Sequence, residues 1–424
     1  DIEELEPGHF INIKLNDWVY GEKINQKLWY NIFDRYKPIH LSKEDAIDKY
    51  KLLFEDSIKL RLRSDVPIGF ALSGGIDSSA LVAYSSRKIK ENNNMSSFTL
   101  YSNVDGFDER EYATQLINGL NLNPNFVEIS NDFIKNNLES LIQIHDLPMT
   151  RMSIIGHYQL CKLCDEMGIK VLLEGQGPDE VLAGYEPFFY ASLIERLYNF
   201  EINDFFKDFF AINKNLGHSI YNDLKRLYAA SLPKALSQRL SFKKSSIFYN
   251  DKSFQNFKIN RLGACYRDEP SMLGQHTIRM KLLRSILHNV DRAGMGNSIE
   301  IRNPFLDYRL MELSVSLPTF LKINRGYTKY LLRESMRGTL PDNIIMRTDK
   351  MGFSTPESSY VKKYLYEIFN DELENINNTI PFINGHVIKD YFNLFLLGKK
   401  KYDRRFWRIV NYSIWSRLNN VSYG

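Results

Sequence analysis

The residues with the most chemistry in this chain stand together at Ser73-Gly74-Gly75-Ile76-Asp77-Ser78-Ser79. Adjacent glycines let the backbone turn tightly, so that successive N–H groups can point at one anion. Ser73, Ser78 and Ser79 add hydroxyl donors. A helix starting here adds the positive end of its dipole. The set describes a cradle for pyrophosphate. A capped helix start after a glycine turn would account for Gly-Gly alone, but not for the whole set. Asp77 would repel bare phosphate, so a cation such as Mg2+ is expected between them. No GxxxxGK[ST] occurs, which excludes a Walker-type loop. A second polar loop, Gly175-Gln176-Gly177-Pro178-Asp179-Glu180, again combines glycines that permit close approach with a carboxylate.

Both loops follow apolar runs that read as buried strands, Val66 to Leu72 and Ile169 to Leu173. A helix over Leu81 to Tyr84 packs on the first. In an open α/β sheet the crevice beyond such strand ends is where ligands bind. Asp77 and Asp179 therefore lie at one sheet edge and form a natural pair of Mg2+ ligands. The same rhythm continues around them. A helix from Lys43 to Arg63 is opened by Ser42 as N-cap. Strands are expected at Ser97–Tyr101 and Asn125–Ile129, with helices over 108–120, 131–144 and 151–167. This alternation predicts an α/β fold, a parallel sheet with helices on both faces. From about residue 185 strand signals fade, and a mostly helical, aromatic-rich C-terminal part follows.

The totals bound the class. With 424 residues, 43% hydrophobic and 25% charged, the chain can bury a large core. A net charge of +4 does not suit a nucleic-acid partner. The basic cluster Lys399-Lys400-Lys401, Arg404, Arg405 and Arg408 alternates with Tyr402, Phe406 and Trp407, and reads as the solvated face of an aromatic-anchored helix, with phosphate binding as the alternative. Three cysteines make no disulfide framework, so a reducing compartment is expected. Cys161 and Cys164 read as buried helix residues. No membrane span and no secretory signal is legible, and a cytoplasmic location is expected. His145, His157 and His288 are assigned no chemistry.

The first loop matches the SGGxDS loop of the ATP pyrophosphatases, which cleave ATP to AMP and pyrophosphate. Within that group the chain resembles the synthetase domain of the asparagine synthetases. The resemblance rests on "SDVPIGFALSGGIDSSALVA" (64–83), "FDEREYATQL" (107–116), "EGQGPDEVLAGY" (174–185), "VDRAGMGNSIEIRNPFLDYRLMEL" (290–313) and "RTDKMGFSTP" (347–356), in family order. It implies an adenine nucleotide alpha hydrolase-like fold and ATP with Mg2+ as cofactors. Asp77 and Asp179 would hold the metal on the pyrophosphate, with Leu72, Ser73, Gly74, Gly75, Ser78, Ser79 and Gly175 around the nucleotide. Lys350 matches the family lysine that faces the phosphates, where positive charge stabilises the transferring phosphoryl group. Arg347 is placed to assist. Arg151 falls where the family often has an arginine near the acceptor, and a guanidinium–carboxylate pair there would orient an acid; a structural salt bridge is the alternative. Asp291, Arg292, Glu300, Arg302 and Asp307 would form an ion-pair scaffold behind the site, from which Arg292 could reach it.

Position 176 departs from the family, which commonly has Glu there. Gln176 hydrogen-bonds but cannot act as a base near neutral pH. The implied reaction joins a small-molecule carboxylate to ammonia. The carboxylate attacks the α-phosphorus to give an acyl-adenylate, and ammonia then displaces AMP. Aspartate is the first expected acceptor. A sugar uronate of surface-polysaccharide synthesis, or a peptide carboxylate, is the alternative that Gln176 raises. A non-catalytic nucleotide-binding module is a third reading. The opening "LEPGHFINI" resembles the family's junction after its glutaminase domain, so residues 1–36 are expected to be a tail from a missing glutaminase, the source of ammonia from glutamine. Residues 37–424 form the synthetase domain, with a homodimer as the candidate assembly.

Overall fold

The computed structural model describes residues 4–14, 16, 24–89, 95–104, 108–231, 248, 271–348 and 356–423. Two short strands, β1 (His9–Phe10) and β2 (Lys27–Leu28), pair antiparallel near the N-terminus. The central sheet has five parallel strands in the order β5-β4-β3-β6-β7: β3 (Ile68–Ala71), β4 (Ser96–Tyr101), β5 (Asn123–Glu128), β6 (Val171–Leu173) and β7 (Glu300–Arg302). The chain builds outward from β3 through β4 to β5, then returns to lay β6 on the other side of β3. The strand order therefore reverses between β3 and β6. Ligands in open α/β sheets bind at such a switch point.

Side chains alternate across the two faces, as the pleat requires. Phe70, Val171 and Leu173 face a core built with the helices Lys43–Arg61, Ile76–Ser86 and Arg110–Leu120. Ala71, Phe98 and Leu172 face the opposite way, toward Leu160, Cys161 and Cys164 of the helix Ser153–Glu166. Both faces are covered, as a parallel sheet demands. Ser42 caps its helix by accepting from the Asp45 amide at 3.1 Å, a contact worth about 1 kcal/mol.

The strand β7 lies within a segment expected to lack strands. Three residues pair with β6 in register, Val171 with Glu300 and Leu173 with Arg302. They carry an unremarkable charged sequence, and the sheet edge rather than their own propensity makes them a strand.

A second apolar core lies beyond the sheet. The helices Tyr366–Glu374, Gly385–Leu396 and Arg405–Leu418 bury Phe369, Phe392, Phe406 and Trp407 against Ile134, Leu138 and Leu141 of the helix Asn131–Ile144. This docking brings the C-terminal helix to the crevice at the ends of β3 and β6. Among the described residues, no helix is long and apolar enough to cross a membrane.

Candidate active site

The loop after β3 is folded by its own hydroxyls. Ser78 Oγ accepts from the Ser73 amide at 3.1 Å, lies 3.1 Å from Ser73 Oγ and donates to Gly75 O at 3.2 Å. Gly74 adopts φ +69°, and a Cβ there would meet Tyr112 Cβ at 2.5 Å. From Gly75 the chain enters the helix Ile76–Ser86. Gly175, after β6, passes so close that a Cβ on it would stand 2.9 Å from the Ser78 amide nitrogen. Glycine at 175 thus lets the two loops touch.

Touching loops bring their carboxylates together. Asp77 Oδ2 and Asp179 Oδ1 lie 2.5 and 2.7 Å from the same ammonium, that of Lys329. Lys329 is buried, its side chain 2% exposed. Its backbone takes φ 53° and donates to Leu182 O at 3.1 Å, which fixes the stem beside the second loop. Arg333, one turn on, donates to Thr328 O at 2.7 Å and to Ile345 O. The cation that Asp77 demanded on sequence grounds is thus supplied in part by the chain. Two hard carboxylate oxygens within reach of one cation also suit Mg2+, which binds through one or two carboxylates and completes its shell with substrate phosphate and water. Among the described residues, no group of three or more His, Cys, Asp or Glu side chains could hold a metal unaided.

An open cleft of about 430 Å3 lies in front of these groups. Ser73, Gly75, Asp77, Ser78, Gly175, Gln176 and Asp179 form one wall. Arg151 also lines it, without an ion pair to a described residue. Leu72, Gly74 and Ser79 stand behind this wall. Leu72 and Ser79 are fully buried. Gly74 is covered by Arg347, whose guanidinium reaches Gly74 O at 3.4 Å and Glu109 at 2.9 Å and stacks 3.9 Å from the Tyr112 ring centre. Arg347 therefore braces the loop after β3. Lys350 lies outside the described residues.

One expectation needs correction. The ion-pair scaffold is not one network: Arg302 pairs with Glu300, Asp307 with Arg61 and Arg309, and Arg292 with Asp146 at 3.0 Å on the surface. Arg292 does not line the cleft. His157, assigned no chemistry, does line it, and its Nε2 lies 2.5 Å from Glu174. Burial opposes charge on this imidazole, but the Glu174 carboxylate outweighs it and raises the His157 pKa above its ordinary value. The basic cluster is a solvated face that also borders the cleft. Lys399, Lys400, Lys401, Arg404 and Arg408 are all exposed, and Arg404, Trp407 and Arg408 form the far wall of the cleft. The reason is packing: once Phe406, Trp407 and Val410 are buried, residues 404 and 408, one turn apart, overhang the crevice. Cys161 and Cys164 are buried, and burial pushes both thiols up, which leaves them inert. Cys265 is outside the described residues.

Lys329 and Glu109 were missed. Lys329 had one usable signal: it directly precedes Tyr330-Leu331-Leu332, a run apolar enough to require burial. Glu109 sat unremarked inside the 107–116 block.

The chain has relatives among known proteins. The chain is 24% identical to asparagine synthetase [glutamine-hydrolyzing] 1 of Bacillus subtilis (strain 168), over 99% of the chain and 65% of that protein. It is 25% identical to a putative asparagine synthetase [glutamine-hydrolyzing] of Mycobacterium tuberculosis (strain ATCC 25618 / H37Rv), over 88% and 57%. It is also 25% identical to amidase chyE of Penicillium rubens, over 81% and 57%. The chain thus spans less than two thirds of the length of these relatives. The family model for asparagine synthase matches residues 49–417. Both loops, Lys329 and the arginines of the far wall fall inside that match, and the chain belongs to the asparagine synthase family.

Proposed function

We propose that the chain is an ATP-dependent, amide-forming synthetase, a carbon–nitrogen ligase that activates a carboxylate as its acyl-adenylate. The convergence of Asp77 and Asp179 on one lysine ammonium, at the mouth of a Ser-Gly-Gly loop, supports this most directly. A carboxylate is a poor acyl donor because its leaving group would be an oxide. Its attack on the α-phosphorus of ATP forms the acyl–phosphate bond and releases pyrophosphate. Ammonia then attacks the carbonyl, and AMP leaves.

Each wall has a task in this scheme. Ser73, Gly75 and Ser78 bind the departing phosphates through amides and hydroxyls. Lys329 offsets the charge of Asp77 and Asp179, and so holds both carboxylates in place. Those two carboxylates would hold Mg2+, which when bound neutralises polyphosphate charge. Arg347 fixes the loop, and resemblance to the family assigns Lys350 to the charge of the phosphates. Arg151 orients the acceptor carboxylate toward the α-phosphorus. Gln176 offers hydrogen bonds to the acceptor or to ammonia, and takes no proton. An upstream glutaminase domain is the proposed source of ammonia, in keeping with the names of the glutamine-hydrolyzing relatives.

Aspartate is the first acceptor we infer. A different carboxylate, such as a uronate or a peptide acid, is favoured by Gln176 and by likeness to a relative named an amidase. The test is pyrophosphate release by the purified chain with Mg-ATP and ammonium, with and without L-aspartate. Aspartate-dependent release with asparagine as product supports the first reading. Release that needs a uronate or peptide acid selects the second. Turnover that no acid stimulates, or that persists in Asp77→Ala, sinks both.

A further inference from the structure

We propose that a second cavity, separate from the cleft, binds a small zwitterion with an apolar body, the chemistry of an apolar α-amino acid, its carboxylate against Lys322 and its ammonium against Glu195. The cavity has a volume of about 420 Å3, within the range of small-molecule sites. Among the described residues, none lines both this cavity and the cleft. Such a site is independent of the amide-forming reaction proposed above.

Four segments enclose it: the connector at 36–40, the helices Glu186–Tyr198 and Met272–Met295, and residues 315–322. Ile39, Leu273, Leu317 and Pro318 give it apolar walls. Lys322 also lines the cavity, yet is only 3% exposed. Burying a charge is costly unless it is paired, and among the described residues no carboxylate pairs with this ammonium. Its Nζ donates to Val315 O at 2.7 Å and lies 3.2 Å from His276 Nε2. His276 is buried as well, and its Nδ1 lies 2.8 Å from Glu180 O. A carbonyl oxygen only accepts, so Nδ1 carries the proton and Nε2 accepts from Lys322. Two of the three ammonium protons are thereby used. The third has no acceptor among the described residues.

Glu195 brings the opposite charge to the same cavity from the helix Glu186–Tyr198. Both of its carboxylate oxygens lie 2.9 Å from Thr319 Oγ1. That hydroxyl has a single proton, so Glu195 keeps acceptor capacity for a further donor. No cation pairs with Glu195 among the described residues. It does not pair with Lys322 either, but it is near enough to act on it: burial pushes the Lys322 ammonium down to about 7, and Glu195 pulls it up. Two opposite charges that share a cavity without touching suit a molecule between them that carries both complements. A carboxylate on the third Lys322 proton restores that charge, and an ammonium balances Glu195. An anion alone would be repelled by Glu195, and an amine alone by Lys322. The pair therefore selects a zwitterion over an ion of either sign, and the apolar walls select its body.

L-Leucine carries both charges on a branched apolar body. 4-Methylpentanoate is the same skeleton without the ammonium, and 3-methylbutylamine is the skeleton without the carboxylate. Their dissociation constants can be measured calorimetrically with the full chain, in the absence of nucleotide. L-Leucine is expected to bind about tenfold tighter, or better, than either analogue, the scale of one charge-assisted hydrogen bond. Glu195→Gln should reduce its affinity to that of 4-methylpentanoate, and Lys322→Met to that of 3-methylbutylamine. Glu195 is half-buried, and glutamine keeps an acceptor for Thr319, so Glu195→Gln decides the matter if loss of the buried lysine prevents folding. Undetectable binding of L-leucine, equal affinities for leucine and either analogue, or a leucine affinity unchanged in Glu195→Gln overturns the proposal.

Discussion

Lys329 Nζ lies 2.5 Å from Asp77 Oδ2, and both side chains are buried. The same ammonium holds Asp179 at 2.7 Å, so two carboxylates from separate loops share it. Removing one partner from a buried ion pair typically costs about 3–5 kcal/mol, because the remaining charges lose their compensation. Lys329→Met keeps much of the stem volume and deletes the charge. It is expected to lower stability by about 3 kcal/mol in EDTA, with part of the loss recovered in millimolar Mg2+ as the metal replaces the ammonium. Thermal unfolding of variant and wild type, with and without Mg2+, checks this. A variant that melts like wild type in EDTA would remove Lys329 from the site.

Arg347 makes contacts that a lysine cannot reproduce. Its guanidinium bonds Gly74 O and Glu109 and stacks over Tyr112, whereas an ammonium is a compact point charge without a planar fork. Arg347→Lys is therefore expected to free the phosphate loop and weaken Mg-ATP binding about tenfold, the worth of one charged hydrogen bond. Global stability should fall by only about 1 kcal/mol. Nucleotide titration together with urea unfolding separates the two effects. Unchanged affinity would mean that Arg347 does not brace the loop.

The His157–Glu174 pair gives stability a pH dependence of known sign. The folded-state pKa of His157 is raised above its unfolded value, because Glu174 more than offsets burial. A group raised on folding binds its proton more tightly when folded. Its contribution is complete below the unfolded histidine value, about 6.5, and is lost as pH rises through the folded one. Wild type should thus lose stability above neutral pH relative to pH 5.5, and His157→Gln should flatten that slope. Urea unfolding across this range is the measurement. A slope that survives in His157→Gln assigns the effect to another group.

Much of this architecture is legible in the residues because its signals are local. Four of the five strands of the main sheet are apolar or alternating runs beside helices of clear period. The loop at 73–79 concentrates glycine, hydroxyl and acid in a pattern a plain turn does not need. What escaped is what only tertiary packing decides. Glu300–Arg302 becomes a strand because the edge of β6 is open to it. Lys329 looks like any loop lysine until Leu331 and Leu332 are buried beside it. Arg404 and Arg408 are exposed, as the helix face predicts, but that they overhang a cleft is decided only when the helix docks. Arg292, conversely, sat inside a family block and was credited with reach, but it is held by Asp146 at the surface.

The contact between the two loops gives the most stringent test of the site as a unit. A Cβ at Gly175 would lie 2.9 Å from the Ser78 amide nitrogen, 3.1 Å from Asp77 C and 3.2 Å from Asp77 Cβ. These atoms open the helix Ile76–Ser86, so they cannot swing aside as a flexible side chain would. Gly175→Ala must separate the loops or distort the helix start, at a cost of about 1–3 kcal/mol. The separation also moves Asp179 away from Asp77. A displacement of about 1 Å in a reacting constellation costs on the order of a hundredfold in rate, so acid-dependent pyrophosphate release should fall by that factor. Gly119→Ala is the matched control. That glycine is exposed on the helix Arg110–Leu120, and nothing lies within 4 Å of its built Cβ. Alanine there should raise stability by about 0.5–1 kcal/mol, with turnover unchanged. If Gly175→Ala keeps wild-type turnover while the control behaves as expected, the close approach of the two loops is not what organises the carboxylates.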